Sequence, residues 1–256
     1  MNSPKPIDRR RFLSGAVQAA SLLALAGCDS LSQSDWFPSL MGNTEKLTKK
    51  AQRALSSKRA MAREYTEADR SVVFPANGNS NPENPDYQAM VTKGFADWRL
   101  EIGGLVEKPA SFSLAELRQM SSRTQTTRHD CVEGWSAIAT WTGVKLGDLL
   151  EHVQPKPEAR FIVFYCADPD EDGQKYYESV DFDEAYHPQT ILAYGMNGQA
   201  LPVAHGAPIR LRVERQLGYK QAKYVMKIEA VESLDAIGDG KGGYWEDQGY
   251  EWYAGI

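Results

Sequence analysis

The stretch TTRHDCVEGWSAIATWTG, residues 126–143, sets one cysteine, Cys131, among charged residues and two tryptophans. A thiol in such surroundings can be a nucleophile, a disulfide partner, a metal ligand or a packed core group. A nucleophile needs a cation or a helix N-terminus to lower its pKa, and a base in reach. Arg128 and His129 could serve, but Asp130 and Glu133 push the other way. A zinc site wants four sulfur or imidazole ligands, usually in CxxC or HxxxH pairs, and no such pair occurs. The cysteines are Cys28, Cys131 and Cys166. A Cys131–Cys166 bridge is therefore open, and so is a lone thiolate on a metal whose other ligands come from a cofactor.

The second chemical signal is IRLRVE, residues 209–214. A period of two turns Ile209, Leu211 and Val213 to one face of a strand and leaves Arg210 and Arg212 on the other. A phosphate is matched by a planar, permanently charged guanidinium with further cations nearby.

Strands and short helices must position these groups. DWRLEIGGLVEKP alternates as a strand ending in a glycine turn. SFSLAELRQM carries a capping box, Ser113 with Glu116, at the head of a helix. VKLGDLLEHV reads as a short helix and RFIVFYCAD as a buried strand. ILAYGMNGQALP is a hairpin turning on Asn197-Gly198, and PIRLRVE and KYVMKIEAVESL are strands. Upstream, LTKKAQRALSSKRAMAREYTEADR places Leu47, Ala51, Ala54, Leu55, Ala62 and Tyr65 at helical spacing, which predicts one amphipathic helix. FPANGNSNPENPD, residues 74–86, is a polar loop, and loops of this kind are either mobile or wrapped around something. His187 reads as a surface histidine at a helix end, and the aromatic tail GGYWEDQGYEWY as packed on the body. The expected class is α+β, dominated by mixed sheet.

The N-terminus, DRRRFLSGAVQAASLLALAGC, pairs Arg9 and Arg10 with a short apolar run, too short for a membrane span. It reads as a twin-arginine export signal, and LAGC followed by Asp29 looks like a lipobox. The expected organisation is a signal over residues 1–27, a tether over 28–43 and one domain over 44–256. A lipid on Cys28 would hold the protein at the inner membrane, in the periplasm. The net charge of −5 gives no basic footprint for nucleic acid.

CVEGWS with Trp141-Thr142-Gly143, then DEAYHPQTILAYGMNGQALP, then HGAPIRLRVERQLGYKQAKYV, make the chain from about Phe74 to Ile256 resemble the sulfite-oxidase-like molybdopterin-dependent oxidoreductases. The likeness is to their small bacterial periplasmic branch. It implies a mixed-sheet molybdopterin-binding fold without the immunoglobulin-like dimerisation domain, hence a monomer. It also implies a molybdenum-molybdopterin cofactor, with Cys131 as the catalytic metal ligand. Arg210 would grip the pterin phosphate, and Gln221, Ala222 and Lys223 would bind the cofactor. Asn77 and Gly78 would make the N-terminal pterin contact. His205 and Cys166 would occupy cofactor-binding positions where this branch has an asparagine and a threonine, so substrate chemistry need not be identical. The implied activity is oxygen-atom transfer on a small-molecule substrate, sulfoxide reduction first. Electrons would be exchanged with a separate partner, a membrane haem protein or a cytochrome c. A sulfite dehydrogenase is the second reading. A cofactor-free scaffold or binding lipoprotein of the same fold is a third, though a scaffold has no need of Cys131 and Arg210.

Overall fold

The computed structural model describes residues 44–55, 57, 59–169 and 173–256. The export signal, Cys28 and the tether lie outside the described residues. The helices are α1 (Thr44–Leu55), α2 (Pro85–Thr92), α3 (Leu114–Gln119), α4 (Leu146–Val153), α5 (Phe182–Ala185) and α6 (Tyr244–Asp247). The strands are β1 (Arg99–Gly104), β2 (Ala110–Ser113), β3 (Ser122–Asp130), β4 (Ser136–Lys145), β5 (Phe161–Pro169), β6 (Lys175–Asp181), β7 (Ile191–Met196), β8 (Gln199–Ala200), β9 (Arg210–Arg212) and β10 (Val225–Val231).

They form two sheets. One runs β2-β1-β10-β5-β6, with β1 and β10 parallel and the other pairs antiparallel. The other runs β3-β4-β7-β8, with β9 also paired to β7, all antiparallel. Leu100, Ile102, Ile162, Phe164, Val225 and Ile228 of the first sheet share one buried cluster with Val144, Leu192 and Leu211 of the second. Leu146, Leu149, Leu150 and Val153 of α4 join the same core. A smaller cluster gathers Ala139, Trp141, Ile191, Ala193, Met196 and Leu201, with Phe74 packed against it.

Local signals set the element ends. Ser113 caps α3 with reciprocal bonds to Glu116. The Asn197-Gly198 turn joins β7 to β8, both residues at positive φ. The long upstream helix is where the structure departs from the spacing: α1 stops at Leu55. Serines offer the backbone competing hydrogen bonds, and Ala60 N–H closes a turn on Ser57 instead. Beyond it the chain is extended. Ala62 exchanges bonds with the Gln189 amide at 2.7 and 3.0 Å, and Tyr65 N–H donates to the Thr126 carbonyl at 2.8 Å. His187 is accordingly not a surface residue: it is buried, with Nε2 3.1 Å from the Ala60 carbonyl.

Candidate active site

Cys131 sits in the hairpin loop between β3 and β4, held by mutual backbone bonds. Its N–H donates to the Trp135 carbonyl at 2.9 Å, and Gly134 N–H donates to the Cys131 carbonyl at 3.0 Å. The loop needs the left-handed conformation at Gly134 (φ +90°), which a side chain would strain. The thiol is 8% exposed, and burial pushes its pKa up. His129 cannot serve as an activating cation. It is wholly buried, and burial together with Arg212 and Arg210 holds its pKa well below the usual histidine range. Arg128 is turned to Asp130 instead, at 2.9 Å. Neither residue the sequence offers for activating a nucleophilic cysteine is therefore placed to do so, and burial disfavours the thiolate. Cys131 and Cys166 are both free thiols, one in a loop of the second sheet and the other within β5 of the first, so the bridge does not form. Among the described residues no group of three or more His, Cys, Asp or Glu could hold a metal ion. A metal at Cys131 would need ligands from outside the protein.

Cys131 opens into a cavity of about 330 Å³ whose walls include Asn77, Gly78, Gln221, Ala222 and Lys223. Two distant chain segments, residues 77–78 and 221–223, thus converge with the thiol. Lys223 draws the 74–86 loop over the cavity: its Nζ donates to the carbonyls of Asn77 at 2.6 Å, Asn79, and Ala204 at 3.3 Å. Tyr224 hydroxyl adds a bond to the Asn79 carbonyl at 2.9 Å. The polar loop is thus of the wrapped kind.

Three expected site residues lie outside the cavity wall. Cys166 packs in the main core. His205 ends a short 3-10 turn, Val203–His205. Arg210 is wholly buried in β9, and its guanidinium reaches the carbonyls of His205 at 3.1 Å and Gln221 at 3.3 Å. The predicted alternation holds along β9: Ile209, Leu211 and Val213 enter the main core, while Arg210 and Arg212 lie over the Trp141 ring. Both faces are buried, which periodicity does not reveal.

The electrostatics are unbalanced. Arg212 is paired with Glu214, but Arg210 has no carboxylate partner among the described residues, and Lys223 bonds only carbonyls. Burial, and then Arg212, lowers the Arg210 pKa; burial, and then Arg210, brings that of Lys223 down to about 7. Around these cations, Asn77 Oδ1, His129 Nε2, Asp168 Oδ1, His205 Nδ1, Arg210 Nε and Gln221 Oε1 are buried without a protein partner. Buried polar atoms are normally satisfied, and unpaired ones cost about 1–3 kcal/mol each. Such a concentration fits a polar, anionic group larger than a water molecule. Gly218 keeps this region open, since a Cβ there would come within 2.5 Å of His129 Nε2.

The model described as the oxidoreductase molybdopterin binding domain matches residues 87–235, more than half of the chain. The chain belongs to this family. Membership makes it a molybdenum oxidoreductase of the sulfite-oxidase type, and the two-sheet α+β architecture is the family's fold. Over 250 residues, 96% of this chain and 87% of the relative, it is 35% identical to a protein of Azospira oryzae provisionally named protein-methionine-sulfoxide reductase subunit YedZ1. It is 38% identical over 157 residues to the protein-methionine-sulfoxide reductase catalytic subunit MsrP of Xanthomonas axonopodis pv. citri, covering 57% of this chain and 49% of that one. The MsrP of Campylobacter jejuni is 37% identical over 144 residues, covering 52% and 48%. The aligned region spans about half the length of these two MsrP relatives. Among solved structures, the sulfane dehydrogenase SoxCD of Paracoccus pantotrophus aligns over 58% of this chain and 45% of its own, at 27% identity and a TM-score of 0.48.

Several members of this molybdopterin-family cavity carried no signal in the motifs. Asp168 lines it, with burial raising its pKa to about 7. Tyr176, Tyr219, Tyr244, Trp245 and Tyr250 form an aromatic side of it. The glycine-punctuated, aromatic tail was the available sign, and it reads equally as packing. Part of it is packing: Trp252 meets Phe161 edge-on at 5.5 Å.

Proposed function

We propose that the protein reduces organic sulfoxides at a molybdenum-molybdopterin cofactor, with electrons delivered by a separate redox partner. The observation that carries this reading is a cavity shared by Cys131 and Lys223, with Arg210 buried behind the lining residue Gln221, unpaired polar atoms around both cations, and no carboxylate partner for either among the described residues. In this reading the Cys131 thiolate holds the metal, because coordination deprotonates a thiol outright even where burial disfavours the anion. Arg210 and Lys223 hold the cofactor's terminal phosphate, with charge-assisted hydrogen bonds that neither cation can make to a protein carboxylate. Asn77, Gly78, Gln221 and Ala222, all on the cavity wall, would flank the pterin. His205, through its unpaired Nδ1, and Cys166 would support these residues from outside the cavity wall.

The bound cofactor supplies two-electron oxygen-atom transfer. The overall change is sulfoxide plus two protons and two electrons to thioether plus water, so the protein must supply protons. Asp168, titrating near neutrality on the cavity wall, can hold and release one at its carboxyl. Sulfite is an anion, and in this reading the cofactor's phosphate takes the charge of Lys223, the only cation among the described lining residues, leaving the carboxylate of Glu133 and the partly ionised Asp168 facing the substrate. Methionine sulfoxide, the substrate in the names of the relatives, is neutral at its reacting end. Those names also call the relatives subunits, which agrees with a separate electron donor.

The N-terminal residues support export to the periplasm and a lipid on Cys28. No helix of the described residues is long and apolar enough to cross a membrane. The experiment is metal analysis of protein purified after native export, followed by reduction of methionine sulfoxide with a reduced viologen dye. Stoichiometric molybdenum and dye oxidation are expected, whereas metal-free protein would favour the scaffold. For the anchor, intact mass spectrometry should show an acylated Cys28, and an unmodified N-terminus would refute it.

A further inference from the structure

The segment after residue 235 lies beyond the matched domain, yet it builds one wall of the cavity. Trp245 and Tyr250 stack with ring centres 5.3 Å apart and 27° between planes. Tyr244 meets Trp245 edge-on at 5.4 Å, and Tyr219 meets Tyr250 edge-on at 5.2 Å. Trp245 and Tyr250 each remain 38% exposed, and Val132, beside Cys131, 45%. Apolar rings left at a cavity mouth favour being covered by an apolar ligand.

The wall is fixed from beneath. In α6 the residues after Tyr244 and Trp245 turn inward: Glu246 is wholly buried and accepts from Lys220 Nζ at 2.5 Å, and Lys220 also bonds Glu178. Asp247 accepts from the Tyr177 hydroxyl and from Asp239 N–H at 3.0 Å. Lys220 in turn lies 5.2 Å from the Trp252 ring centre. These buried charges hold the rings in place without contributing to the cavity surface themselves.

We propose that Trp245 and Tyr250 are the substrate-recognising residues, gripping the methyl and methylene groups on either side of the sulfur in a methionine sulfoxide side chain. The assignment rests on the sulfoxide-reductase reading. Sulfur and its neighbouring carbons pack favourably against aromatic rings, and a rigid ring pair loses little entropy on binding. The neutral sulfoxide also suits a cavity whose lining includes the acidic Glu133 and Asp168. The grip takes the side chain's carbons, so a chain exposed on a peptide can enter while its backbone stays outside.

The test compares the molybdenum-loaded wild type with Trp245→Ala, Tyr250→Ala, Trp245→Phe and Tyr250→Phe. The probe is N-acetylmethionine sulfoxide amide, with dimethyl sulfoxide, which lacks the side-chain methylenes, as comparison. Each alanine variant should raise KM for the amide about five- to tenfold, the size of one sulfur–aromatic contact with its apolar area. The change in kcat should be smaller than that in KM, the shift for dimethyl sulfoxide smaller still, and the phenylalanine variants should restore most of the loss. Titrating the amide without reductant should give a saturable tryptophan-fluorescence change in wild type that Trp245→Phe lacks. If wild type reduces the amide but both alanine variants keep its KM, the assignment is wrong and the reaction reading stands. If loaded wild type reduces no sulfoxide, the reaction reading fails, and the fluorescence titration still reports whether the rings bind the side chain.

Discussion

Arg210 and Arg212 leave β9 on the same face and share the Trp141 ring at 5.0 and 4.3 Å, yet among the described residues only Arg212 has a carboxylate partner, Glu214 at 2.6 Å. Two neighbouring buried arginines are thus given different work. Arg212 is balanced within the protein and also bonds His129 Nδ1 at 3.0 Å. Arg210 keeps an unused Nε and an uncompensated charge.

Replacing each arginine by alanine should separate those two roles. Arg210→Ala removes a partner of the proposed phosphate, and a charge-assisted bond of about 1.5–3 kcal/mol corresponds to a roughly ten- to hundredfold loss of cofactor affinity. Molybdenum retained after extensive dialysis is the readout, and full retention would remove Arg210 from the cofactor grip. Arg212→Ala strands Glu214 in the interior and should cost about 3–5 kcal/mol of folding stability whether or not cofactor is present. Denaturant midpoints of cofactor-free protein check it.

The two cysteines should likewise part company. Cys131→Ser keeps size and hydrogen bonding in a loop fixed by its backbone, so the fold should survive while turnover is lost. Cys166→Ser places a hydroxyl in the main core between β10 and β6 and should cost about 1–3 kcal/mol of stability while keeping measurable turnover. Thermal midpoints and turnover of the two variants decide this, and equal turnover in both would overturn the special role of Cys131.

Much of this arrangement is legible in the sequence, because short-range rules govern it. The strands, the Ser113 cap, the Asn197-Gly198 hairpin and the alternation of Ile209, Leu211 and Val213 all follow from spacing over a few residues. What spacing leaves open is what each face meets. The alternation separates Arg210 from Leu211, but only the packing of β9 beside Trp141 shows that the arginine face is as buried as the leucine face. The segment after Leu55 continues a helical pattern in Ala62 and Tyr65, and long-range bonds to Gln189 and Thr126 override it. Asp168 and Trp245 belong to the cavity through the approach of β5 and the tail to the β3–β4 loop, which no local motif encodes.

Lys220 offers a test of how the tail is anchored. Among the described residues it is the sole cation bonded to the buried carboxylates Glu178 and Glu246, and Lys220→Met would leave two buried acids facing each other. The variant should lose about 3–5 kcal/mol. Hydrogen exchange should show the loss concentrated in residues 238–252. Glu246→Gln should be milder, because one lysine with one carboxylate remains balanced. A Lys220→Met variant as stable as wild type would contradict the anchoring.

The pH dependence of the cofactor-free protein follows from Lys223 and Asp168. Burial lowers Lys223 from 10.5 to about 7 in the folded state, with Arg210 adding to the shift and Asp168, Glu133 and Cys166 opposing it. Between those values the unfolded chain holds a proton that the folded one has released, so stability rises with pH from about 7 toward 10.5. Asp168 behaves oppositely: burial raises it from 3.8 to about 7 against the pull of Lys223, so its contribution falls as pH climbs through that range and is flat above it. Of these two groups only the lysine still acts above pH 7, with a slope of up to about 1.4 kcal/mol per pH unit. An anionic group beside Lys223 would restore its charge and flatten the slope. Unfolding free energies at pH 7, 8 and 9 should rise for cofactor-free wild type. They should rise less for Lys223→Met, and less for the molybdenum-loaded protein. An equal slope in loaded and cofactor-free protein would show that no anion binds beside Lys223.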